Sequence, residues 1–128
     1  MLKQEITYED FNGDTRTETF YFNYTRPELL EWEVSEKGGM RKMMQEIVKA
    51  EAQKEIVDVF KTFLLNAYGE KTPDGRNHKK TQELKDDFAS SAAYAAFYMQ
   101  LAEDADLAAR FINGVVPKGM AQELTKEI

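Results

Sequence analysis

A chain of 128 residues with 42% hydrophobic and 31% charged residues has globular composition, and its length favours one domain. It has no cysteine and a single histidine, His78, which excludes disulfides, thiol nucleophiles, Cys-based zinc or iron–sulfur sites and His-pair metal sites. Its 17 Lys and Arg against 23 Asp and Glu leave −6, no segment carries the clustered positive charge that nucleic-acid binding requires, and no apolar run approaches a membrane span.

The first 24 residues predict an antiparallel hairpin, 2–24. Met1 to Glu5 lacks the apolar core of a signal peptide, so a reducing cytoplasm is the expected compartment. Leu2, Ile6 and Tyr8 alternate with Lys3, Glu5, Thr7 and Glu9, a period of two that puts one set on each face. The run Thr15–Tyr24 is rich in Thr, Phe and Tyr, which suit a pleated surface. Parity chooses the turn. A two-residue Asn12-Gly13 loop would turn Phe20 and Phe22 away from Ile6, whereas a three-residue loop, Phe11-Asn12-Gly13, pairs Leu2 with Phe22 and Gln4 with Phe20. Gly13 then takes the left-handed conformation. Such a hairpin is marginal alone and must dock.

Helices follow, expected at roughly 26–36, 40–68, 81–88, 91–102 and 105–113. Thr25-Arg26-Pro27-Glu28 has the spacing of a capping box with proline in the first turn. Leu29, Leu30, Trp32 and Val34 follow it, and Gly38-Gly39 ends the helix. From Met40 to Ala67 apolar residues recur every three or four positions, most weakly over Ala50–Lys54. Gly69–Gly75 reads as a loop built on Pro73-Asp74-Gly75, and Arg76–Lys80 as a solvated basic loop with an exposed His78. Thr81, then Ser90 or Ser91, then Asp104 are placed to cap three short helices. Asn113-Gly114 ends the last, with Val115 making the apolar contact beyond it. The fold class is therefore α+β and mainly α, a hairpin packed on about five or six helices in one domain, 1–117, with 118–128 a loose C-terminal tail.

Chemical motifs fail one by one. Asp10–Asp14 resembles the start of a calcium loop, but position 21 is Tyr where the bidentate Glu belongs. Asp104-Ala105-Asp106 is explained by capping and the helix dipole. Ser90-Ser91 lacks a nucleophile elbow, and Gly38-Gly39 lacks the Lys and Ser/Thr of a P-loop. No enzyme activity, cofactor or metal is expected. Three surface features stand out: Met40, Met43 and Met44 opening the long helix; Tyr94, Phe97 and Tyr98 among the alanines of 91–102; and Met120 and Leu124 in the tail. The first two serve either as core filling or as a partner-binding surface, and the tail is either loose or a weak amphipathic helix that orders on a partner.

The chain resembles the tail assembly chaperones of long, non-contractile-tailed phages and prophages of Gram-positive hosts. The resemblance covers residues 2–118 and rests on the order of several pieces: Phe20–Thr25, Glu28-Leu29-Leu30, Gly38-Gly39, Phe60–Leu64, Ala67–Lys71, Asp74-Gly75-Arg76, Phe88, Ser91–Tyr94, Phe97 and Leu101–Pro117. Where the family often breaks its long helix, this chain has the helix formers Ala50-Glu51-Ala52-Gln53. The resemblance implies a non-enzymatic chaperone that binds the tape measure protein, helps recruit tail tube subunits and is absent from the finished virion. It also implies action in the host cytoplasm and a second, longer form made by frameshifting, this sequence being the short one. Self-association accords with such a role; nucleic-acid and membrane partners do not. The competing reading is a structural virion component, a head–tail connector or tail terminator; a small enzyme or nucleic-acid-binding regulator is disfavoured by the missing polar constellation and basic stripe.

Overall fold

The computed structural model describes residues 1–35 and 54–117. Strands β1 (Leu2–Glu9) and β2 (Thr15–Phe22) form the hairpin, with Leu2 opposite Phe22 and Gln4 opposite Phe20. The Asp10 N–H donates to the Asp14 carbonyl at 2.8 Å and the Gly13 N–H to the Asp10 carbonyl at 3.0 Å, which closes the three-residue loop. Gly13 has φ +86°, left-handed as the loop requires. The Asp10 side chain holds the turn, accepting from the Asn12 and Asp14 N–H groups at 2.9 Å each and from Arg16 Nε at 2.6 Å. Those bonds, the Arg16 one foremost, hold the Asp10 carboxyl below its ordinary range.

The hairpin continues into a larger sheet. Strands β3 (Tyr68–Lys71) and β4 (His78–Lys79) extend it in the order β1-β2-β3-β4, antiparallel throughout. The reading of Gly69–Gly75 and Arg76–Lys80 as loop alone is corrected here. Tyr-Gly-Glu-Lys has little intrinsic strand character; the free edge of β2 recruits it. Gly69 makes the approach possible. A Cβ there would lie 2.6 Å from the Lys79 carbonyl oxygen and 2.8 Å from His78 Nε2. The turn between the strands is as expected: Gly75 has φ +77°, and its N–H donates to the Thr72 carbonyl at 2.9 Å.

Five helices are present among the described residues: α1 (Arg26–Ser35), α2 (Lys54–Ala67), α3 (Gln82–Ala89), α4 (Ala92–Glu103) and α5 (Ala105–Val115). The capping box of α1 closes reciprocally, the Glu28 N–H reaching Thr25 Oγ1 at 3.3 Å and the Thr25 N–H reaching Glu28 Oε1 at 2.9 Å. Thr81, Ser91 and Asp104 cap α3, α4 and α5, each accepting a backbone N–H at 3.1 Å. Helix α5 corrects one expectation. It runs through Asn113-Gly114 to Val115, and Gly114 is there for close packing: a Cβ on it would lie 3.0 Å from Leu2 Cδ1. Val115 is a buried helical residue whose carbonyl accepts the Tyr24 N–H at 2.7 Å. The expected helix 40–68 is described from Lys54 onward. Met40, Met43 and Met44, the Gly38-Gly39 stop, the Ala50–Gln53 stretch, and Met120 and Leu124 in 118–128 lie outside the described residues.

The core explains why the hairpin needs the helices. Phe22, fully buried, has ring centroids of Phe111, Phe97 and Phe88 at 5.3, 5.6 and 5.8 Å. Ile6 beside it is buried, and β1 packs chiefly on α4. On α1, Leu29 is buried against this core while Leu30 points outward. The architecture is α+β, mainly α, with the sheet docked on the helices.

Candidate partner-binding surface

Helix α4 carries three of the residues singled out by composition. Ala93, Phe97 and Leu101 recur at a spacing of four and form its buried stripe. Phe97 is 0% exposed, between Phe22 at 5.6 Å and Phe111 at 5.5 Å. It is a core residue, which corrects its reading as part of a binding face. Tyr94 and Tyr98, rotated around the same helix, are half-buried. Tyr94 meets Phe88 edge-on at 5.5 Å, and Tyr98 meets Phe60 at 6.1 Å. Burial raises the Tyr94 phenol above its ordinary pKa, with Tyr98 a smaller cause. On the far side of α4, Ala95, Met99 and Ala102 are exposed.

Tyr94 belongs to a larger group that composition alone did not reveal. Phe20 from β2, Tyr68 from β3, Phe88 from α3 and Tyr94 from α4 converge. Tyr68 stacks on Phe88 with centroids 4.1 Å apart and planes 8° apart. Phe20 lies 5.6 Å from Phe88 and 6.3 Å from Tyr68. Phe88 is 3% exposed, while Phe20, Tyr68 and Tyr94 are half-buried. The Tyr68 phenol is raised by burial first and then by the negative charges of Glu70, Asp87 and Glu18. The alternation of Phe20 with Phe22 was the available sequence signal for the Phe20 ring of this cluster. Tyr68 had none, because its strand was hidden.

Two polar features brace the sheet beside it. Lys80 Nζ donates to the Asn23 carbonyl at 2.5 Å and to Glu28 Oε2 at 2.7 Å, and it sits 4.7 Å from the centre of the Tyr24 ring. This ties the start of α3 to the cap of α1. Burial of Glu28 favours its neutral form, but the Lys80 and Thr25 bonds outweigh that and lower its pKa. His78, expected in solvent, is half-buried over Gly69. Its Nε2 lies 3.1 Å from the Tyr21 carbonyl, which can only accept, so Nε2 carries the proton. Nδ1 is buried without a partner, and burial holds the imidazole below its ordinary pKa.

Among the described residues no group of three His, Cys, Asp or Glu is placed to hold a metal ion, and no helix is long and apolar enough to cross a membrane. A model of the phage tail assembly chaperone family matches residues 1–127. The chain belongs to that family. No curated protein and no solved structure matches it significantly. The tail assembly chaperone family is generally non-enzymatic.

Proposed function

We propose that this chaperone binds the tape measure protein of its phage, keeps it soluble in the host cytoplasm, helps recruit tail tube subunits to it, and is left out of the finished virion. The family match over 1–127 carries the reading. An acidic protein present in several copies would coat an aggregation-prone partner and lend it charge. Self-association into multimers belongs to the same proposal. Its proposed contacts are Tyr94 and Tyr98 on α4, together with Met40, Met43, Met44, Met120 and Leu124.

Co-expression with the tape measure protein, then tagged pull-down and size-exclusion chromatography with light scattering, tests it. A soluble complex with several copies per tape measure chain is the expected result. A tape measure protein that stays insoluble, both with this chain and with any frameshifted longer form, overturns it. Mass spectrometry of purified virions separates it from the connector or terminator reading, which requires the chain in the particle.

A further inference from the structure

Apolar surface rimmed by one sign of charge constrains what can cover it. Phe20, Tyr68 and Tyr94 present half-buried rings at the junction of β2, β3, α3 and α4, over a floor closed by Phe88. Glu18, Glu70 and Asp87 are exposed around Tyr68 and act on its phenol. The cation that the register brings nearest is Lys79, opposite Glu70. Three carboxylates thus act on the Tyr68 ring of the patch. The rings pack on one another, with Phe88 5.6 Å from Phe20 and 5.5 Å from Tyr94, so they present one continuous apolar surface.

We propose that this patch docks an apolar segment of the partner flanked by lysine or arginine. The inference deepens the reading above and rests on it. Its apolar side chains cover the rings, and its cations meet Glu18, Glu70 and Asp87. Tyrosine suits the position because its ring supplies apolar area and its hydroxyl reaches the wet rim.

Two synthetic helical peptides with the same leucine stripe, one flanked by lysines and one by glutamates, are titrated into the purified full-length chain. The lysine peptide is expected to bind at least about tenfold more tightly, less so as salt rises. Replacing Glu70→Lys together with Asp87→Lys reverses the preference; both side chains are exposed, so the fold is kept, with only the small loss of thermal stability that a second lysine opposite Lys79 brings. Equal binding of the two peptides, binding of neither, or a preference that survives the charge reversal overturns the site. Capture of the tape measure protein is scored separately. If the charge-reversed chain captures it as well as the wild type, this patch is not the docking site and the chaperone function stands. If neither the wild type nor any frameshifted longer form captures it, that function falls and the docking proposal falls with it.

Discussion

Lys80 is a cation whose stem and head are both used. It bonds to the Asn23 carbonyl and the Glu28 carboxylate and lies over the Tyr24 ring, joining two segments far apart in sequence. Lys80→Met keeps the stem and removes the charge, leaving a carboxylate and a carbonyl short of a donor. Glu28 retains its Thr25 bonds and some solvent, so the expected loss is ~1–2 kcal/mol, read from urea denaturation. His78 sets a different pH window. Its folded pKa lies below the unfolded 6.5, so the stability it contributes is complete above 6.5 and is lost as pH falls through the folded value. Glu28 is lowered from 4.5, so its contribution is complete above that and fades only in stronger acid. Urea midpoints measured against pH are expected to fall in two stages, and His78→Gln, which keeps a donor for Tyr21, is expected to remove the upper one.

Strands β3 and β4 stand or fall with one glycine. Gly69 lies where backbone and an imidazole ring leave no space for a Cβ, and the obstructing atom at 2.6 Å is a main-chain oxygen that cannot rotate aside. Gly69→Ala is expected to cost about 2–3 kcal/mol and to expose the amides of β3 and β4 to hydrogen exchange. Gly114 looks similar but differs in kind. Its obstruction is the end of the Leu2 side chain at 3.0 Å, which can shift, and alanine gains helix propensity at that site. Gly114→Ala is therefore expected to change stability by less than ~1 kcal/mol in a thermal melt. The two glycines separate a backbone constraint from a side-chain one.

Phe22 joins the sheet to the helices. It touches rings from β3, α3, α4 and α5, so truncation opens a cavity that no single element can close. Phe22→Ala is expected to cost ~3–5 kcal/mol, a large share of the ~5–15 kcal/mol that holds a domain of this size, with loss of near-ultraviolet circular dichroism before the helices melt. Phe97→Glu buries a charge in the same place and is expected to prevent folding, so it cannot probe partner binding. The patch proposed for a partner sits one layer outward, where Tyr68 and Tyr94 keep part of their rings in solvent.

Local rules determined whatever depends on neighbours in the chain. The hairpin register follows from parity and from Gly13, and the caps at Thr25, Thr81, Ser91 and Asp104 follow from side-chain oxygens placed to accept the first free helical N–H groups. On α4 the helical spacing made its aromatics legible, but the choice of Ala93, Phe97 and Leu101 as the buried stripe, with Tyr94 and Tyr98 only half-buried, came from the packing. What the tertiary structure decided depends on distant partners. Tyr68–Lys71 becomes a strand where β2 offers an open edge, and Gly114 lies inside a helix at the point where Leu2 packs closely against it. The aromatic cluster was hidden for the same reason. Its rings come from four elements spread over residues 20–94, and only the packed fold brings them within stacking distance.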